Sequence, residues 1–194
     1  MGRPKEFDRE EALRRAIPVF RESGFAGASA EDLTRAMGIG RQSLYDTFGD
    51  KRRLYLEALG RYNADSIAAL LDTLHDAASP LDAIEGVLRA IADQSADAAA
   101  CGCMGVNAIC EFGVADADVA RLGATSAARL ETALESVLRD ARRAGELDPA
   151  LAPRAAARFL AATLAGMKVQ ARAGAAPDIL RDVATVATRS LRAR

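Results

Sequence analysis

The sequence predicts an all-α fold of about nine helices, with a small N-terminal three-helix part followed by a larger helical remainder. Three observations predict it. Apolar residues recur at spacings of three and four along most of the chain, and no long stretch alternates with period two. Half of the residues are apolar but only 5% are aromatic, and Trp is absent. Alanine and leucine dominate instead, and both favour helix. Glycine and proline punctuate the periodic runs at short intervals.

The first helix is expected to start at Asp8, with Glu11 three residues on as a capping-box partner. Its apolar face is Leu13, Ile17 and Phe20, and Gly24 ends it. Pro18 falls in its interior, which predicts either a kink near Arg14–Ala16 or a helix that tolerates it because its exposed side is free to bend. Ser29 to Asp32 reads as a second capping box opening a short helix with Leu33 and Met37 inward. Gly38, Ile39 and Gly40 make a tight turn. Arg41 to Phe48 forms another short helix with Leu44 and Phe48 inward. Asp50 then caps a long helix from Lys51, marked by Leu54, Ala58, Tyr62, Leu70 and Leu74.

Ser79 followed by Pro80 is an N-cap with proline at the first helical position. The fifth helix is expected to reach about residue 98. Residues 102–113 give a short sixth, and about 116–144 a long seventh stopped by Gly145. An eighth runs over about 151–173, closed by Gly174, and Pro177 opens the last, to about 191.

Composition and charge exclude several classes. No apolar run approaches the ~20 residues that span a membrane. The opening residues Met1 to Lys5 run straight into charged positions, unlike a secretory signal, so a cytoplasmic location and no membrane partner are expected. The net charge of the 194 residues is −1. Residues 1–53 hold 11 Lys/Arg against 9 Asp/Glu, a net of +2, which leaves −3 for the rest. That weak asymmetry is compatible with DNA binding without announcing it. Cys101, Cys103 and Cys110 are odd in number and clustered, which argues against a disulfide scaffold. There is no nucleophile–base–acid set, metal motif or phosphate-binding glycine loop, and one histidine, His75, expected to be exposed. No enzymatic activity, cofactor or metal site is expected.

Residues 29–48 carry the chemistry. Two short helices joined by a glycine turn make a unit that holds the second helix out from the body, packed through Leu33, Met37, Ile39 and Leu44. Arg41, Gln42 and Ser43 then lie at the exposed N-terminus of that second helix, the end that enters a major groove. Arg suits guanine edges and Gln adenine edges. Tyr45 and Thr47 offer hydroxyls to phosphates. Lys51 and Ser29 stand at helix N-termini, where free N–H groups and the dipole favour a phosphate. The same pattern also suits a helical interaction protein in which Arg41, Gln42, Tyr45 and Lys51 are a solvated face.

Residues 10–56 resemble the DNA-binding domain of the tetracycline-repressor family of bacterial regulators. The residues carrying the resemblance are Ala12, Phe20, Gly24, Phe25, Ser29, Leu33, Ala36, Gly38, Leu44, Tyr45, Phe48, Lys51 and Leu54. It implies that the segment with Leu44, Tyr45 and Phe48 is the recognition helix, that Lys51 grips the DNA backbone, and that Arg3 and Lys5 form a basic arm reaching DNA. Gly40 departs from the family's usual Ser or Thr, a small loss for an N-cap. The resemblance implies a helix-turn-helix domain over 1–53 and a ligand-binding and dimerisation domain over 54–194.

The remainder agrees in kind. The predicted eighth helix is apolar nearly all round, through Ala155, Phe159, Leu160, Leu164, Met167 and Val169, as for a helix covered on both sides. Ile179, Val183, Val186 and Leu191 add an apolar face to the ninth. By resemblance these two helices form a homodimer matching a palindromic double-stranded operator. Asn107 reads as a ligand contact or as a helix–helix hydrogen bond. With Met104, Cys110, Phe112, Phe159 and Met167 it makes the candidate lining of a pocket for a small apolar effector. The cysteine run has three readings: small buried hydrophobes, a thiol switch in which Cys101 gains from a helix N-terminus, or a soft-metal sensor. The expected function is a transcription regulator, a repressor released by an apolar effector; the alternative is a thiol-sensing repressor using Cys101, Cys103 or Cys110.

Overall fold

A computed structural model describes residues 7–75 and 78–193, except for the side chain of residue 75. Among them the regular structure is helical, apart from one isolated bridge between Leu147 and Arg192. The helices are α1 (Arg9–Gly27), α2 (Ala30–Met37), α3 (Arg41–Phe48), α4 (Lys51–His75), α5 (Pro80–Ala92), α6 (Ala96–Cys101), α7 (Met104–Phe112), α8 (Ala117–Arg143), α9 (Pro153–Arg172) and α10 (Pro177–Arg189). The chain forms two compact units, residues 1–63 with 103–122, and 64–102 with 123–194.

The caps explain the boundaries of the first unit. Asp8 accepts from the N–H groups of Glu10 and Glu11 and starts α1. The expected reciprocal bond from Glu11 is replaced by ion pairs to Arg14 (2.6 Å) and Arg15 (2.9 Å), because those cations lie one turn on along the same face. Pro18 is exposed and α1 continues through it. The break in α1 is instead at Gly24, with φ 70° and ψ −177°, a conformation almost confined to glycine. Ser29 accepts from Asp32 N and donates to its carboxylate, which opens α2. Gly38 at φ 68° closes it in the left-handed region. Asp50 accepts from Arg53 N at the head of α4, and Asp116 accepts from Asp118 and Val119 at the head of α8.

The core of this unit joins Ala12, Leu13, Ala16 and Phe20 of α1 to Leu33, Met37, Leu44 and Phe48 of the next two helices, and to Leu54, Tyr55, Ala58 and Leu59 of α4. Met104 and Ala108 of α7 complete it. Burying a leucine such as Leu44 contributes roughly 1.5–3 kcal/mol.

In the second unit α5 packs on α9 and α10, and α6 on α9. Leu81, Ile84 and Leu88 meet Leu134, Leu138, Leu160, Leu164, Met167 and Leu180. The expected fifth helix is divided here. α5 stops at Ala92, and Ser95 opens α6 by accepting from Ala98 N. A serine hydroxyl competes for backbone N–H groups and favours a cap over a helix interior. This division adds one helix to the expected nine.

Candidate nucleic-acid interface

The segment expected to read DNA is α3, seated by burial along one side. Leu44 and Phe48 are almost wholly buried, whereas Arg41, Gln42, Tyr45 and Asp46 are exposed and Ser43 and Thr47 half-buried. Gly40 caps α3 without a side-chain hydrogen bond. The first N–H groups of this helix, and the positive end of its dipole, are therefore uncovered by any side chain. Gln42 donates to Asp46 at 2.9 Å, and the Arg41 guanidinium lies 5.9 Å from the centre of the Tyr45 ring. Both contacts are exposed and weak enough to be exchanged for contacts to base edges.

Lys51, the first residue of α4, is half-buried. Its ammonium stands 4.7 Å over the Phe25 ring and donates to the Ala26 carbonyl at 3.5 Å. Ser29 is exposed with its hydroxyl engaged in the α2 cap. Arg3 and Lys5 lie outside the described residues, as does the side chain of His75.

The turn that carries Phe25 and Ala26 is held by a carboxylate that the sequence analysis does not single out. Glu111 of α7 accepts from Phe25 N at 2.9 Å and from Ala26 N at 2.7 Å. Asn107, one turn earlier on α7, donates to the Arg21 carbonyl at 3.2 Å. Phe25 also belongs to an aromatic group with Tyr55 (5.2 Å) and Phe112 (5.6 Å). Burial pushes the Tyr55 phenol well up, and the Glu111 and Asp116 charges add to it, so Tyr55 stays neutral. The available signal was the spacing of Asn107 and Glu111, four apart on one helical face.

Of the candidate effector contacts, Met104 is buried in the first unit's core and Asn107 is engaged with Arg21. Phe112 is half-buried and Cys110 exposed. Met167 is buried in the second unit, where Phe159 is 45% exposed. A cavity of about 330 Å³ in that unit, between the ends of α5, α6, α9 and α10, includes Ile91, Gln94, Arg172 and Leu180 and none of these six. Cys101 is the last residue of α6 and Cys103 the N-cap of α7. The expectation that Cys101 stands at a helix N-terminus is therefore corrected: it is the C-terminal residue of α6. Among the described residues no group of three or more His, Cys, Asp or Glu could hold a metal ion. No described helix is long and apolar enough to cross a membrane.

A model described as bacterial regulatory proteins, tetR family, matches residues 12–58, and one described as tetracyclin repressor-like, C-terminal domain, matches residues 80–187. The chain belongs to the tetracycline-repressor (TetR) family. It is a helix-turn-helix, DNA-binding transcription regulator. Among TetR-type relatives, it is 38% identical over 149 residues to the uncharacterized regulator YezE of Bacillus subtilis (strain 168), covering 76% of this chain and 77% of that one. It is 31% identical over 191 residues to the transcriptional repressor ComR of Escherichia coli (strain K12), covering 94% and 88%. Among solved structures, a cysteine mutant of the TetR regulator CifR, in complex with 26-base-pair operator DNA, superposes with a TM-score of 0.84 at 30% identity, covering 98% of this chain and all of that one. Reduced NemR of E. coli shares the TetR fold (TM-score 0.84, 20% identity, 95% and 97% covered).

Proposed function

We propose that this protein is a repressor that binds a palindromic operator as a homodimer and is released by a small, largely apolar effector. Residues 1–53 read the DNA, and residues 54–194 provide dimerisation and the effector site. The observation that carries the reading is the bare N-terminus of α3, where Gly40 offers no side-chain cap and Arg41 and Gln42 are exposed. Arg41, Gln42 and Ser43 meet base edges, while Ser29, Tyr45, Thr47, Lys51, Arg3 and Lys5 meet phosphates. The operator complex of CifR, a 30% identical neighbour, supports this arrangement.

Two further observations support the dimer and the effector route. Phe159 and Val169 of α9, and Ile179, Val183 and Val186 of α10, are large apolar residues left exposed in the single chain. Burying such a stripe against its two-fold copy removes it from water. Effector occupancy is read through α7, which packs on α1 and carries Met104, Asn107, Cys110 and Phe112; Phe159 and Met167 lie on α9. A second reading, release by thiol oxidation, is favoured by Cys110, exposed on α7 beside Glu111.

Selection of duplexes from a random pool by the purified protein tests the reading. A palindrome is expected. Replacement of Arg41 or Gln42 by alanine should then relax the preference at one position of each half-site by about 1–3 kcal/mol. Failure of the selection sinks the DNA-binding reading. Binding to the selected duplex with and without a thiol oxidant separates the two modes of release.

A further inference from the structure

The break at Gly24 interrupts the helical pairing of three backbone groups of α1, the Phe25 and Ala26 N–H groups and the Arg21 carbonyl. In an unbroken helix Phe25 N would donate to the Arg21 carbonyl. Here Phe25 N and Ala26 N point instead at the two carboxylate oxygens of Glu111, and the Arg21 carbonyl takes the Asn107 amide. Asn107 and Glu111 lie four residues apart on α7 and so bridge the break from one face. The fit is close: a Cβ built on Gly24 would meet a Glu111 carboxylate oxygen at 3.0 Å. A carboxylate accepting from backbone N–H groups makes charge-assisted bonds, about twice as strong as neutral ones.

The residues held this way are the ones against which Lys51 rests. Its ammonium faces the Phe25 ring and the Ala26 carbonyl. Ala26 therefore accepts from Lys51 with its carbonyl and donates to Glu111 with its N–H. We infer that Glu111 is a positioning residue for DNA binding: from α7 it holds the Phe25–Ala26 turn, and that turn aims the Lys51 ammonium at a phosphate. The inference rests on the DNA-binding reading and adds to it a residue remote in sequence from the helix-turn-helix.

The test compares the full-length wild type with Glu111→Ala, Glu111→Gln, Lys51→Ala and the Glu111→Ala, Lys51→Ala double variant. The probe is the duplex selected by the wild type, at several salt concentrations. Glu111→Ala is expected to bind about tenfold more weakly and to lower the salt slope by about one, as Lys51→Ala does. The double variant should bind no more weakly than Lys51→Ala alone, because the two act through one contact. Glu111→Gln keeps one acceptor oxygen and should fall between. In DNA-free Glu111→Ala the Phe25 and Ala26 amides should exchange faster with solvent than in the wild type. Unchanged DNA affinity, additive losses or unchanged exchange at those two amides overturns the positioning role while leaving DNA binding intact. A wild type that selects no duplex overturns both together.

Discussion

The Lys51 ammonium lies 4.7 Å from the centre of the Phe25 ring. A cation over an aromatic face is attracted by the ring quadrupole, and this one is only half-buried, so it remains available to a DNA phosphate. Replacement of Phe25 by leucine keeps an apolar side chain and removes that attraction. We expect Phe25→Leu to weaken binding uniformly across sequences, with the ranking of operator variants unchanged. A changed ranking, measured on a panel of single-base variants, would show that Phe25 shapes α3 instead.

Gly24 should resist substitution. Its backbone lies in a region almost closed to other residues, and an added Cβ would crowd Glu111. Gly24→Ala is expected to cost about 1–3 kcal/mol of stability, read as a lower thermal midpoint. Gly123, in the interior of α8, has open space around it. Gly123→Ala should be neutral or stabilising there by up to about 1 kcal/mol, which gives the control.

Acid should loosen the head of α8. The Val119 N–H and then the Arg52 guanidinium hold the Asp116 carboxyl below the ordinary range, and hydrogen bonds from Arg52 and then Arg121 do the same for Asp118. A lowered folded pKa means that the stabilisation is present above the unfolded value of about 3.9 and is lost as pH falls through the folded one. The difference in thermal midpoint between wild type and Asp116→Ala should be constant near neutrality and shrink below about pH 4. A difference that persists unchanged at lower pH would assign the effect to something other than this carboxylate.

The apolar stripe predicts the assembly. Val186 is 68% exposed and Val183 39%, three residues apart on one face of α10. Val183→Glu with Val186→Glu should give a monomer by sedimentation, with the helical content of the wild type. Operator affinity should fall steeply in parallel, since one half-site alone is gripped. A double variant that sediments as the wild type would place the dimer interface elsewhere.

The helix-turn-helix was legible because its signals are local. Capping residues at Asp8, Ser29, Asp50 and Ser79, glycines at 24 and 38, and the apolar pairs Leu33–Met37 and Leu44–Phe48 each act within a few residues. The ends of α5 and α6 were less legible. Ser95 is as good a residue in a polar helix face as at a cap, and only the packing of α6 on α9 chooses between them. For the same reason Cys101 was assigned to the wrong end of a helix.

The sequence by itself determined the helical class, the place of the helix-turn-helix and the family, since periodicity, caps and a short motif depend on neighbours along the chain. Only the tertiary structure decided what Glu111 and Asn107 do. Each is 86 residues from its backbone partner in Phe25 or Arg21, and their spacing of four shows that they share a face of α7 without marking the broken helix that this face meets. Orphaned backbone groups must find partners wherever folding brings a donor or acceptor within reach, so the partner's identity is set by packing and not by spacing.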